Sequence, residues 1–172
     1  CIRDSSTLVG HVNMGVVWAY GNAISAPYSE QFYVGGANSI RAFNVRSIGP
    51  GRYHAQTSYL SYLDQTGDLK LQMNLEYRPR MFGNLYGALF LDAGNVWTLR
   101  SDSDRPGAVF KPKNMFKEMA VGTGIGIRYD LDFFVLRLDW GVGLHLPYKN
   151  GFYNFDKFKD SQSIHFAIGY PF

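Results

Sequence analysis

The chain has 172 residues, with 17 Lys and Arg against 14 Asp and Glu; that is enough for one domain, and a net charge of +3 with no basic block gives no footing for nucleic acid. It is 46% hydrophobic and 16% aromatic, with 19 Gly, 13 Phe and 12 Tyr, yet no apolar run approaches the ~20 residues of a membrane helix. The single cysteine, Cys1, excludes an internal disulfide and a cysteine metal cluster, and the start carries no signal peptide, as expected of a cytoplasmic chain or a mature piece. Such a composition predicts a β protein, in water or in lipid.

The first predicted strand spans Thr7 to Tyr20. Leu8, Val12, Met14, Val16, Trp18 and Tyr20 share one parity, against Thr7, His11, Asn13, Gly15 and Ala19. This is period-two alternation over more residues than a usual soluble strand. Trp18 and Tyr20 sit together at one end, as in an interfacial aromatic girdle.

Residues 21–68 form a long connection, and a loop of that length inside a compact domain usually serves a function. At its centre is Phe32-Tyr33-Val34-Gly35-Gly36-Ala37-Asn38-Ser39-Ile40-Arg41-Ala42-Phe43. Gly35 and Gly36 allow backbone angles closed to other residues. Arg41 carries a planar fork of donors suited to carboxylates. Its neighbours Ile40 and Phe43 are apolar, which is odd for a loop in water. The plain reading is a solvated arginine on a variable surface loop; the strands that follow argue for a buried one. Ile48-Gly49-Pro50-Gly51 then argues for a defined path.

Alternation returns at Asp68. Leu69, Leu71, Met73, Leu75 and Tyr77 oppose Asp68, Lys70, Gln72, Asn74, Glu76 and Arg78, and a turn is expected at Pro79 to Gly83. The next strand, Asn84 to Trp97, sets Leu85, Leu89 and Leu91 against Tyr86, Ala88, Phe90 and Asp92. A polar loop covers Leu99 to Met115. Lys117 to Tyr129 then alternates Val121, Thr123, Ile125, Ile127 and Tyr129 against Ala120, Gly122, Gly124, Gly126 and Arg128. After a tight turn at Asp130-Leu131-Asp132, Phe134, Leu136, Leu138 and Trp140 oppose Phe133, Val135, Arg137 and Asp139. A loop from Pro147 to Asp160 leads to a last strand, Ser161 to Phe172, in which Ile164, Phe166, Ile168, Tyr170 and Phe172 share a face.

The connections run long, short, long, short, long, so every long one lies at the same end of an antiparallel meander. That asymmetry, one continuously apolar face and an opposite face mixing glycine with charged and amide residues are the pattern of an outer-membrane barrel. Six strands are fewer than such barrels have, and an open sheet would leave unpaired edges in hydrocarbon. The fold expected is therefore all-β: the C-terminal six or so strands of a larger transmembrane barrel. An isolated fragment is expected to self-associate through its edges.

In this order the motifs resemble those of the outer-membrane assembly factors, a superfamily that includes BamA, TamA, their organelle relatives and the two-partner secretion transporters. Ile40-Arg41-Ala42-Phe43 is similar to the V-R-G-F/Y motif of the family's sixth extracellular loop, with Ala42 in place of the usual glycine and Ile40 in place of valine. Leu75-Glu76-Tyr77-Arg78-Pro79 resembles the strand end that follows it, and Leu89 to Trp97 the F-x-D-x-G-x-V-W strand. Gly122 to Tyr129 and Leu136-Arg137-Leu138-Asp139 resemble the penultimate hairpin. The resemblance implies a barrel of about sixteen strands, preceded by periplasmic domains absent from this chain. It also implies a loop, residues 21–68, folded back into the lumen, with its arginine on inner-wall carboxylates. Glu76 and Asp92 stand at those acidic positions, and alternation puts both on the polar parity independently. An Arg taken out of water needs such partners. Asp139 shares that parity, with Arg137 beside it to neutralise it.

The function implied is insertion of unfolded barrel proteins into the bacterial outer membrane, with the lipid bilayer, those substrates and accessory subunits as partners and no cofactor. A seam between first and last strands is implied as well, with Phe166, Ile168, Tyr170 and Phe172 forming one side and the terminal aromatic read as an assembly signal. The alternatives are a polypeptide secretion pore of the same superfamily, a passive porin or a barrel enzyme. Enzyme chemistry finds little in the residues. His11, His54, His145 and His165 lack metal-ligand spacing, there is no G-x-S-x-G elbow, and Ser163 and His165 on one strand face read as incidental. Gly122, Gly124 and Gly126 alternate on a strand, so they are no phosphate loop; they are expected to leave room for the folded-back loop.

Overall fold

The computed structural model describes residues 6–21, 23, 26–54, 65–149, 151, 153–155 and 158–169. Six strands follow in chain order: β1 (Ser6–Val16), β2 (Leu69–Phe82), β3 (Leu85–Trp97), β4 (Ala120–Asp130), β5 (Val135–His145) and β6 (Gln162–Ile168). Each pairs antiparallel with the next, in a single sheet ordered β1-β2-β3-β4-β5-β6. The sheet is an open meander; β1 and β6 are its edges. Among the described residues no helix is long and apolar enough to cross a membrane.

Alternation decides the two faces. Leu75, Leu89, Leu91, Ile125, Ile127, Leu138, Ile164, Phe166 and Ile168 are all exposed on one side, the side that lipid covers in a barrel. Gln72, Asn74, Glu76, Asp92, Arg128, Arg137 and Asp139 are buried on the other. A six-stranded sheet alone would leave that polar face open. It is buried because the connection between β1 and β2 lies across it.

The core therefore sits between loop and sheet. Val34, Ile40, Ala42, Phe43 and Ile48 from the connection pack with Val96, Ala120 and Leu146, and Phe32, Tyr148 and Phe155 close the edges of this cluster. The apolar residues flanking Arg41 are accounted for by this burial: Ile40 is 0% and Phe43 6% exposed. Gly35 and Gly49 turn the loop at φ +100° and +84°, in the left-handed region that a side chain disfavours. A Cβ on Gly49 would also come within 2.6 Å of Asn95 Oδ1. Phe32 and Gly67 form an antiparallel bridge that returns the loop to the start of β2.

Several boundaries differ from the sequence expectation. β4 begins at Ala120 rather than Lys117, which closes a 3-10 turn, Pro112–Lys117. The first strand ends at Val16, although Trp18 and Tyr20 remain exposed beyond it. The expected turn at Pro79 to Gly83 is strand: β2 continues to Phe82 and the reversal is at Gly83 and Asn84. Pro79 is tolerated because the pairing with β3 passes from Tyr77–Leu89 to Arg80–Tyr86 without it, just before a register shift between Arg80 and Phe82. β5 runs on to His145, past a shift in its pairing with β4, where Gly143 partners Gly122 and His145 partners Val121. The described part of the last strand stops at Ile168, after which the Gly169 N–H donates to the Val135 carbonyl at 2.7 Å. Tyr170 and Phe172 lie outside the described residues.

Candidate functional site: the arginine lock

Arg41 is carried over the sheet by a tight turn in which the Phe43 N–H donates to the Ile40 carbonyl at 3.1 Å. Its side chain is fully buried and points back toward β2 and β3. Nε donates to Asp92 Oδ2 at 2.8 Å, and Nη2 donates to Asp92 Oδ1 at 2.7 Å. Nη1 is paired with Glu76 Oε2. The guanidinium plane also lies over the Phe90 ring, with Cζ 3.8 Å from its centroid. A planar cation thus has carboxylates at its edge and a ring at its face, which is the environment that Arg fills and Lys does not.

β2 and β3 place these partners. Glu76 and Asp92 are two rungs apart, because Asn74 is the register partner of Asp92 and Phe90 that of Glu76. The arginine therefore spans adjacent inward positions of a regular antiparallel pair. Asn74 fixes the geometry from the side: its Nδ2 donates to Asp92 Oδ1 and to the Ser39 carbonyl, both at 2.8 Å. The Ser39 hydroxyl donates to Gln72 Oε1, also at 2.8 Å. Further along, Asn95 Nδ2 donates to the Gly51 carbonyl at 2.9 Å, and the Gly51 N–H to the Val96 carbonyl at 2.7 Å.

The site is larger than the sequence reading made it. Glu76 serves three arginines: besides Arg41, Arg78 Nε is 2.6 Å from Oε1 and Arg128 Nη2 is 3.2 Å from Oε2. Asp139 belongs to the same network through Arg128 Nη1, at 2.6 Å. Arg137 pairs with Asp139 as expected, its Nε 3.8 Å from Oδ2, while its Nη2 is turned onto Asn38 Oδ1 of the loop. Arg128 could have been found from its inward parity on β4; the aromatic face under Arg41 and the orienting amide of Asn74 have no signal in a single sequence.

The glycines of the wall divide the expected task. A Cβ on Gly122 would collide with the Ala42 methyl, and one on Gly141 would come within 2.6 Å of the Arg41 carbonyl oxygen and 2.8 Å of Ala42 Cα. Gly143 makes room for Phe43 and Phe155, and Gly94 for Ile40. Gly124 and Gly126 do not face the loop; they make room for Phe90 and for the Arg128–Asp139 pair. Ala42 is not among the residues with positive φ, so its replacement of glycine imposes no left-handed strain.

The Omp85 superfamily domain matches residues 2–172. The chain is 30% identical over 108 residues to the outer membrane protein assembly factor BamA of Neisseria meningitidis serogroup B, a match covering 60% of this chain and 13% of that protein. It is 39% identical over 77 residues to the human sorting and assembly machinery component 50 homolog, covering 41% of this chain and 15% of that protein. With the homolog A of Xenopus laevis it shares 32% over 106 residues, 58% of this chain and 21% of the relative. The chain thus spans about a fifth or less of the length of these curated relatives. A meander with a lipid-type outer face, a loop lying on its polar wall and a family match over nearly the whole chain lead to one conclusion: this chain belongs to the Omp85 superfamily, as a run of six strands of its transmembrane β-barrel.

Proposed function

We propose that the chain is part of a barrel that inserts unfolded β-barrel proteins into a bacterial outer membrane, without cofactor or chemical step. The observation that carries this reading is the buried lock of Arg41 on Glu76 and Asp92, which ties an extracellular-type loop to the inner wall. A wide passive channel would leave this lumen face open to water. A machine that must keep its lumen closed while its strands rearrange needs it covered. The names of the Neisseria and human relatives, an assembly factor and a sorting and assembly component, support the same reading, and the Neisseria match supports the bacterial setting. The remaining partners would be the bilayer, unfolded barrel substrates, and periplasmic domains and accessory subunits outside this chain. We further propose that Phe166, Ile168, Tyr170 and Phe172 form one side of a working seam.

The test is reconstitution of the full-length protein in liposomes with an unfolded outer-membrane barrel as substrate, its folding followed by heat-modifiable gel mobility. The wild type accelerates folding over empty liposomes and Arg41→Ala loses most of that acceleration. Unchanged folding with passage of polypeptide into the vesicles would instead establish the secretion pore, and ion conductance alone the porin.

A further inference from the structure

The loop that brings Arg41 to the wall also covers Arg137, and the two arginines fare differently. Arg41 gains two carboxylates, Glu76 and Asp92. Arg137 is 1% exposed, and from the loop it gains only a neutral amide, Asn38 Oδ1, which accepts from Nη2. Asn38 itself is exposed. Among the described residues the carboxylate paired with Arg137 is Asp139, 3.8 Å from Nε, an ion pair too long for a hydrogen bond. Arg137 Nε and Nη1 are buried with no hydrogen-bond partner among the described residues.

The wall is also set against this cation. Arg128 is its direct register partner on β4, and like charges opposite one another in a sheet are destabilising. Arg128 also holds Asp139 more closely, with Nη1 2.6 Å from Oδ1. On β6 the register partner of Arg137 is Ala167, which carries no charge. A charge taken out of water without a close, hydrogen-bonded counterion is costly, and one hydrogen bond to an amide recovers only part of that cost.

We infer that Arg137 is a counterweight to the lock: docking of the loop strips it of water without giving it a carboxylate, so its charge favours release. The docked loop is then held by a difference between two opposing effects, the pairing of Arg41 with Glu76 and Asp92 and the desolvation of Arg137. Release also gives the charge somewhere to go. With the loop off the wall, Arg137 meets lumen water, and a movement of about 1 Å brings Nε within hydrogen-bond distance of Asp139 Oδ2. That oxygen has no hydrogen bond while the loop is docked.

The plain alternative is that Arg137 anchors the loop through Asn38. The two readings differ in sign. Removing an anchor loosens the loop; removing a counterweight tightens it. Neither depends on the proposed assembly activity, so the outcome stands apart from that reading.

Hydrogen–deuterium exchange on the full-length protein in nanodiscs reads the sign. Arg137→Gln removes the charge and keeps an N–H donor. Exchange in residues 36–46 then falls about fivefold to tenfold, the size expected when a poorly compensated buried charge is removed. Arg137→Lys keeps the charge and leaves exchange at or above the wild-type rate. Asn38→Asp, at an exposed loop position that should fold in any case, supplies the carboxylate and slows exchange as well. Unchanged or faster exchange at 36–46 in Arg137→Gln overturns the counterweight, as does equal slowing in Arg137→Lys, which would mean that the charge is not the cause. If Arg137→Gln fails to fold, unchanged or faster exchange in Asn38→Asp overturns it.

Discussion

Asp92 holds Arg41 twice, by its side chain and by its main chain. Oδ2 accepts the Arg41 backbone N–H at 3.0 Å and Nε at 2.8 Å, while Oδ1 accepts Nη2 at 2.7 Å. One carboxylate therefore fixes both where the motif's backbone passes and where its guanidinium points. Charge-assisted bonds of this kind are about twice as strong as neutral ones, and the two-pronged geometry excludes a Lys substitute. Arg41→Lys should accordingly behave nearly as badly as Arg41→Ala in an insertion assay, whereas Arg46→Ala, on a half-buried arginine of the same loop, should cost little.

Glu76 is the shared anion of three arginines, and its removal should be the most damaging single change in the network. Glu76→Gln leaves Arg41 and Arg128 buried, and Arg78 half-buried, around a neutral group, and breaking such a buried pair from one side typically costs about 3–5 kcal/mol. The denaturant midpoint of the refolded full-length barrel in detergent measures this. The expected drop exceeds that for Arg78→Gln, whose side chain keeps some exposure.

Ala42 and Gly122 are complementary, the methyl of one filling the space left by the other. Gly122→Ala should destabilise by about 1–3 kcal/mol through overpacking. Adding Ala42→Gly to it should recover most of the loss, with a coupling of about 0.5–3 kcal/mol in a double-mutant cycle. Additive losses would mean that the motif does not rest on Gly122.

Much of this arrangement was legible in the sequence. Period-two alternation fixed the inward parity of Glu76, Asp92 and Arg137, because a strand has only two faces and one was continuously apolar. The resemblance supplied the idea that Arg41 meets Glu76 and Asp92, which the strand pattern alone could not, since residues 35 and 51 positions apart are joined only by the fold. What escaped the sequence was set by packing. Pro79 reads as a turn, and it stays in β2 because the pairing with β3 skips it. Which glycine faces the loop and which faces Phe90 depends on how the loop crosses the sheet.

The loop's position also predicts its chemistry from outside. In proteoliposomes carrying the full-length protein, trypsin should cut after the exposed Lys113 and Lys117 well before Arg41, which is 0% exposed. Peptide mapping of timed digests checks the order; early cleavage after Arg41 would mean that the loop lies outside the wall.

The apolar face should behave as a lipid surface. Leu89→Lys, at mid-strand, should cost about 2–4 kcal/mol of folding free energy in a bilayer, and Leu85→Lys, beside the Gly83–Asn84 turn, about 0–1. Titration of folded fraction in lipid vesicles reads the difference, and equal effects at the two depths would count against a membrane-spanning orientation of β3.

The lock between Arg41 and Asp92 is most directly tested by a double-mutant cycle read as the initial rate of substrate insertion by the full-length protein in liposomes. If the two residues act as one device, Arg41→Ala and Asp92→Ala each abolish most of the acceleration, and the double variant is no slower than the worse single one. If the two losses multiply, or either single variant inserts substrate at the wild-type rate, the lock is not what the activity depends on.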